Sequence, residues 1–159
     1  MILDLPKYFK KNNIYFDIFA NNYASKILSS FNINHIILKN LEQLNCSLKK
    51  NNYSTFLIGT SENVKSIGLD LIDIGKRENI KTIAIVDMLT NAEHRFKGTS
   101  EDPLKYKPDF LVVTDEITEK AFIELGMNPD NIYICNHPQI GRIKEIKKEL
   151  ENKFPKKRS

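Results

Sequence analysis

Residues 82–96, TIAIVDMLTNAEHRF, constrain the fold more than any other stretch, because an apolar run ends abruptly in a cluster of polar side chains. The run at 82–86 shows no alternation of apolar and polar residues, which is typical of a strand covered on both faces, as in a parallel sheet. Ligands bind at the carboxyl ends of strands in open α/β sheets. The stretch therefore predicts a buried strand that leads into a functional loop containing Asp87, Asn91, Glu93, His94 and Arg95. The alternative is structural: Asp87 caps a turn and residues 93–95 form a solvated face.

Three further apolar runs, at residues 56–59, 110–113 and 132–135, also end in polar signatures. Segments with helical spacing of apolar residues separate the runs, and this alternation indicates parallel pairing with right-handed crossovers. We predict that the three runs and residues 82–86 form adjacent parallel strands whose carboxyl ends open on one cleft. A strand at residues 14–20 brings the predicted sheet to about five strands.

Capping residues predict the helix boundaries. Asn40 should cap a helix that begins at Leu41, and Gly126 should occupy the left-handed position after a helix that follows the third run. Residues 61–63 should cap a helix over residues 64–77.

The length of 159 residues and the hydrophobic content of 41% allow one substantial core. We predict one α/β domain, a Rossmann-like parallel sheet flanked by helices, at residues 1–140. Residues 141–159 should form a basic helical tail. The net charge is +4, and much of it lies in this tail, so the nearly balanced body argues against a nucleic-acid partner.

The sequence predicts neither a membrane span nor a leader. No apolar run approaches the roughly 18 residues of a spanning helix, and the first residues lack the apolar centre of a signal peptide, so the expected location is cytoplasmic. Cys46 and Cys135 lack metal-type spacing, and neither a dinucleotide fingerprint nor a phosphate-binding loop is present. We therefore expect no metal and no cofactor.

The polar signatures at the strand ends supply the candidate site residues. Gly59 lets a ligand approach the backbone, and the amides after Thr60 and Ser61 can hold a carboxylate, a phosphate or a sugar hydroxyl, although helix capping is the simpler interpretation of Ser61. The catalytic candidates, as general acids or bases, are Asp87, Glu93 and His137. The substrate-binding candidates are Gly59, Thr60, Ser61, Glu62, Asn63, Asn91, Arg95, Asp115, Glu116 and Asn136.

Two of these candidates carry specific expectations. Arg95 can clamp a phosphate or carboxylate with two hydrogen bonds, or pair on the surface near Glu93. Because its loop lacks a periodic apolar pattern, we expect Arg95 at the surface and Arg95→Ala to cost little stability. His137 stands before a proline that ends sheet pairing, at the rim of the predicted cleft, whereas His35 at a strand start is interpreted as structural.

The order of these signatures resembles the amino-terminal half of GT-B-fold sugar enzymes, the group that contains many glycosyltransferases and UDP-N-acetylglucosamine 2-epimerases. The resemblance covers residues 14–140 and is carried by LIGTSEN, KTIAIVDM followed by NAEHRF, KPDFLVVTDE and LGMNPDNIYICNHP. Asn136, His137 and Pro138 stand where this family has Gly-Asn-Pro or Gly-His-Pro, with Asn136 in place of the commoner Gly. The resemblance implies a sugar or nucleotide-sugar ligand and a role in surface polysaccharide or glycoconjugate synthesis.

The resemblance also implies a partner. GT-B enzymes carry most nucleotide-sugar contacts on a second α/β domain, and this sequence contains no such donor-binding half. We therefore expect a partner chain that supplies it, or a homo-oligomer. Three alternatives remain open: a non-catalytic sugar- or anion-binding module, a relic fragment, and a receiver-like signalling domain with Asp87 as its phosphoacceptor.

Overall fold

The computed structural model describes residues 5–88 and 91–135, together with residues 143, 147 and 151. The chain divides into two compact units, Met1–Asn52 and Tyr53–Ser159, and each is described by itself. The predicted fold class, α/β with a Rossmann-like parallel sheet flanked by helices, is confirmed. The predicted boundary between domain and tail at residue 140 lies outside the described residues and stays a prediction.

The first unit contains a two-stranded parallel sheet and three helices. Its elements in chain order are α1 (Leu5–Lys11), β1 (Phe19–Ala20), α2 (Asn22–Ser30), β2 (Ile36–Ile37) and α3 (Leu41–Lys50). The strand predicted at residues 14–20 is therefore too long, because β2 offers only two residues as pairing partners. The prediction of one sheet of about five strands is wrong, because β1 pairs with β2 in a separate sheet. Asn40 caps α3 as predicted, since its side chain accepts a hydrogen bond from the Gln43 amide at 3.1 Å.

His35 has a structural role in this unit. Its Nδ1 lies 2.8 Å from the carbonyl oxygen of Ile33, and its Nε2 lies 2.8 Å from the Ser25 hydroxyl. Because a carbonyl oxygen only accepts, the proton of the neutral ring is on Nδ1, and Nε2 accepts from Ser25. The pair ties α2 to the segment that leads into β2.

The second unit contains a four-stranded parallel sheet in the order β3-β4-β5-β6. Its elements are β3 (Thr55–Gly59), α4 (Ile67–Glu78), β4 (Lys81–Ile85), α5 (Ala92–Arg95), β5 (Phe110–Val113), α6 (Glu116–Glu124), a 3-10 turn (Pro129–Asn131) and β6 (Ile132–Ile134). The prediction that the four central strands are adjacent and parallel is confirmed. Their carboxyl ends therefore lie at one edge of the sheet.

Burial alternates along these strands, so the prediction that both faces of residues 82–86 are covered is wrong. Within residues 82–86, Thr82, Ala84 and Val86 are buried, whereas Ile83 and Ile85 are only half-buried. Leu57, on the same face of the sheet as Ile83, is 42% exposed. The strand order follows the chain order, and right-handed crossovers then bring α4 and α6 to the same face of the sheet. An apolar run without alternation does not distinguish one covered face from two.

Helix α4 approaches the sheet closely at Gly75. A Cβ atom built there would collide with the Thr82 methyl group and lie 2.9 Å from the carbonyl oxygen of Ile80. Thr82 is 1% exposed, and its amide and hydroxyl both donate to Oδ2 of Asp109, at 2.8 and 2.9 Å. The Asp109 amide in turn donates to the Thr82 hydroxyl at 2.9 Å. This reciprocal network fixes the start of β4 beside the start of β5.

Four of the described helices end in the same local motif, in which a left-handed residue is followed by an apolar one. The left-handed residues are Asn13, Asn32, Asn79 and Gly126. In each case the next residue donates its amide hydrogen back to the last turn of the helix, as in Ile14 to Phe9 at 2.9 Å and Met127 to Phe122 at 3.0 Å. This is the Schellman arrangement. The prediction for Gly126 is confirmed, and asparagine takes the same position at the other three stops.

Among the described residues, no helix has the length and apolar character needed to cross a membrane.

Candidate functional site

The candidate site lies at the carboxyl ends of β3 and β4, where two loops leave the sheet. The first loop, residues 60–66, leads from β3 to α4, and the second leads from β4 to α5 and is described at residues 86–88 and 91. In parallel α/β sheets this edge is where ligands bind, because the loops and helix starts converge there. Sequence and sheet topology therefore place the candidate residues of these two loops in the same region.

The first loop begins by extending the sheet. The Thr60 amide and hydroxyl both donate to the carbonyl oxygen of Ile85, at 3.3 and 2.8 Å. Gly59 is exposed, and a Cβ atom built on it meets no atom within 4 Å. Thr60 thus holds the loop against β4, and the surface above Gly59 is open.

The helix after this loop begins later than predicted. Residues 61–63 do not cap it; Ser66 does, and its side chain accepts from the Gly68 amide at 3.2 Å. Ser61 and Asn63 form their own local turns, in which the Lys65 amide donates to the Asn63 side chain at 3.1 Å. Residues 61–66 contain two serines and an asparagine, and each is a good cap, so composition alone could not select Ser66.

Glu62 connects the two loops. Its Oε1 lies 3.4 Å from Nη2 of Arg95, and its Oε2 accepts a hydrogen bond from the Asn91 side-chain amide at 2.9 Å. Asn91 precedes α5 with a left-handed backbone, φ 60° and ψ 44°, and its side chain makes no capping hydrogen bond to that helix. The amide of Asn91 is thus directed to Glu62, and three predicted binding residues are in contact.

The sequence led us to expect Arg95 at the surface, but the structure buries it. Its side chain is 4% exposed, whereas that of Glu62 is 42% exposed. The short helix α5 carries Arg95 inwards beside Phe96, which is fully buried. The expectation that Arg95→Ala costs little stability is therefore wrong in its premise, because a buried side chain that carries an ion pair contributes packing as well as charge.

A shallow depression lies beside Arg95, between the end of β3 and the first turn of α4. Its interior volume of about 10 Å³ holds roughly one water molecule. A Cβ atom at Gly68 would lie 3.3 Å from the carbonyl oxygen of Gly59, so this glycine lets the helix start approach the strand end. The lining residues are Ile58, Gly59, Thr60, Ser61, Ser66, Gly68, Leu69, Ile72, Arg95 and Phe96.

The two described catalytic candidates, Asp87 and Glu93, are exposed. Asp87 follows the end of β4. Oε1 of Glu93 lies 3.6 Å from Nε2 of its neighbour His94. The structure places both carboxylates where they can meet a ligand from solvent.

Asp115 caps α6. Its Oδ1 accepts from the Thr118 amide at 2.8 Å and from the Thr118 hydroxyl at 3.0 Å, and its Oδ2 accepts from the Thr114 hydroxyl at 2.7 Å. The hydrogen bond from the Thr118 amide is the main cause that holds the pKa of Asp115 below its ordinary value. Glu116 follows in the first turn and is exposed. Of these two predicted binding residues, Asp115 uses its carboxylate to cap α6, which is a structural role.

This cap makes stability depend on pH. The carboxylate of Asp115 is favoured in the folded state, so its contribution is complete above pH 3.8, its ordinary pKa, and is lost as the pH falls through the lower folded value. We expect Asp115→Ala to reduce the free energy of unfolding by roughly 1 kcal/mol at pH 7. Urea unfolding at pH 7 and pH 3 measures the effect. A difference between wild type and variant that is equal at both pH values would contradict the role of the charged cap.

The remaining predicted residues, Asn136 and His137, lie outside the described residues. Within residues 5–88 and 91–135, no group of three or more histidine, cysteine, aspartate or glutamate side chains is arranged to hold a metal ion.

Sequence reasoning found the loops but missed how they are joined. Glu62, Asn91 and Arg95 were each proposed as ligand contacts, and the hydrogen bond and ion pair among them were not foreseen. The available signal was charge: a glutamate in one loop and an arginine in the next, at the same predicted edge. Comparison of the chain with known protein families, curated proteins and solved structures gives no match.

Proposed function

We propose that this chain is the acceptor-side, amino-terminal half of a GT-B-type glycosyltransferase or nucleotide-sugar enzyme that acts in surface polysaccharide or glycoconjugate synthesis. The observation that carries the proposal is the meeting of two polar loops at the carboxyl edge of a parallel sheet, through Glu62, Asn91 and Arg95. The exposed carboxylates of Asp87 and Glu93 lie in and after the second loop, with the chemistry needed to orient sugar hydroxyls or transfer a proton. His137 is the third proposed catalytic residue. The proposed enzyme pairs this domain with a donor-binding half.

A non-catalytic sugar- or anion-binding module is the second candidate, and a specific observation favours it. Two carboxylates at this edge are already engaged, Asp115 in the α6 cap and Glu62 in its contact with Arg95. A carboxylate that is held by hydrogen bonds or by an ion pair is better suited to a binding site than to proton transfer.

The test uses Gly59, because a methyl group there meets no protein atom. In the proposed function a sugar lies over this residue, so Gly59→Ala should weaken sugar or nucleotide-sugar binding at least tenfold while the melting temperature stays unchanged. Isothermal titration against a panel of nucleotide sugars and acceptor sugars measures the affinity. The exposed Gly126 cannot supply the matched control, because its φ of +100° strains any residue that carries a Cβ atom.

Two results would overturn the proposal. The first is that no sugar or nucleotide sugar in the panel binds to the protein. The second is binding that Gly59→Ala leaves intact. Turnover of a nucleotide sugar by a strictly monomeric chain would reject the need for a second half, and association with a donor-binding chain without turnover would favour the binding module.

A further inference from the structure

The side chain of Glu62 is held as a bound carboxylate would be. One carboxylate oxygen faces the Arg95 guanidinium at 3.4 Å, and the other accepts from the Asn91 amide at 2.9 Å. The Arg95 cation and the neutral Asn91 amide thus each contact one of the two carboxylate oxygens. Arginine and asparagine together provide the charge and the direction that recognise a planar oxyanion.

In this contact the position of the Arg95 side chain is fixed by burial, whereas that of the Glu62 side chain is not. Arg95 is 4% exposed and Glu62 is 42% exposed. The cation therefore belongs to the interior of the unit, while its counter-ion reaches in from a loop. A side chain that is nearly half exposed loses little packing when it turns outwards.

The contact between the two charges is also loose. Charge-assisted hydrogen bonds between nitrogen and carboxylate oxygen are usually about 2.7–2.9 Å long, and the contact here is 3.4 Å. A carboxylate that is free to choose its position can approach the guanidinium more closely than one attached to residue 62. An external carboxylate can therefore compete.

We propose that Arg95 and Asn91 form a carboxylate-binding subsite that Glu62 closes in the absence of ligand. A ligand carboxylate displaces the Glu62 side chain and takes its two contacts. The two donors already hold the two oxygens of one planar carboxylate, that of Glu62. The subsite thus suits the flat carboxylate of an acidic sugar better than a tetrahedral phosphate. The assignment to an acidic sugar rests on the proposed function, whereas the carboxylate subsite does not.

Glu62 is then an internal competitor. Its tether keeps it at a high local concentration, so the wild-type protein binds an external carboxylate with reduced apparent affinity. Removing the Glu62 carboxylate should increase that affinity at least tenfold. It should also lower the stability of the protein in the absence of carboxylate, since the buried guanidinium then lacks this counter-charge.

The experiment measures melting temperature and binding of acetate, glucuronate and inorganic phosphate to wild type, Glu62→Ala and Glu62→Gln at constant ionic strength. In Glu62→Ala, acetate and glucuronate should restore the melting temperature in a saturable manner, with a weaker effect of phosphate. Wild type should show at least tenfold weaker binding. Glu62→Gln keeps the side-chain volume, and it covers the case in which the alanine variant does not fold.

Glu78→Ala is the matched control, because Glu78 is an exposed glutamate in the last turn of α4, at the end of that helix remote from the candidate site. It should bind carboxylates as wild type does. If neither Glu62 variant gains carboxylate binding, or if Glu78→Ala gains as much, the subsite is rejected. If the Glu62 variants bind acetate but no sugar binds to any form, the subsite stands and the proposed sugar function fails.

Discussion

Replacing Asp109 with alanine should lower the free energy of unfolding by roughly 2–4 kcal/mol, because two buried donors lose their acceptor at once. Oδ2 of Asp109 accepts from both the amide and the hydroxyl of Thr82, at 2.8 and 2.9 Å. Thr82 is 1% exposed, so water does not replace the carboxylate without opening the start of β4. Urea unfolding followed by circular dichroism measures the loss.

The matched control is Asp102→Ala. Asp102 is an exposed aspartate whose side chain accepts a hydrogen bond from the Leu104 amide at 2.9 Å, and surface substitutions of this kind usually change stability by about 0.5 kcal/mol or less. Thr82→Val removes the hydroxyl but keeps the amide, so it should cost less than Asp109→Ala. Equal losses for Asp109→Ala and Asp102→Ala would show that the network at Thr82 does not stabilise the fold.

Replacing Gly75 with alanine should reduce stability by roughly 1–3 kcal/mol through overpacking, although alanine is the better helix former by about 1 kcal/mol. The added methyl group would collide with the Thr82 methyl and lie 2.9 Å from the carbonyl oxygen of Ile80. Neither neighbour can move freely, since Asp109 holds Thr82 and the Ile80 amide donates to Gly75 itself at 2.8 Å. Helix α4 must therefore shift away from the sheet.

Gly59→Ala in the same unit serves as the comparison, because its methyl group meets no atom within 4 Å. Its melting temperature should equal that of wild type, whereas that of Gly75→Ala should fall by several degrees. A Gly75→Ala protein as stable as wild type would mean that α4 does not press on Thr82 as the structure describes.

The sequence predicted strands β3 to β6 well because each is an apolar run that ends at polar residues. Phe110–Val113 is an example: a proline and an aspartate precede it, and Thr114 and Asp115 follow it. The periodicity could not tell how many faces are covered, because Leu57 and Ile83 are apolar residues on a partly exposed face. Strand identity is a local property, and coverage of a face depends on where the connecting helices lie.

The candidate site was predicted only in outline. Its loops could be found, since they follow predicted strands. The inward direction of Arg95 could not, because a charged residue in a polar loop normally predicts exposure. Its burial depends on the four-residue helix α5 and on a glutamate in another loop. Contacts between loops are tertiary, and local patterns do not encode them. The same holds for Ser66, which caps α4 in competition with equally suitable neighbours.

The recurring helix stop has a consequence for the nascent chain. Each stop is complete within roughly six residues, as in the return of the Ile14 amide to the Phe9 carbonyl. Pairing of β3 with β4 joins Thr55 to Lys81, and it waits until the whole crossover has left the ribosome. Domains form as units from the amino terminus during synthesis. Asn13, Asn32 and Asn79 can therefore set where each helix ends before the strand that follows that helix has been translated and paired.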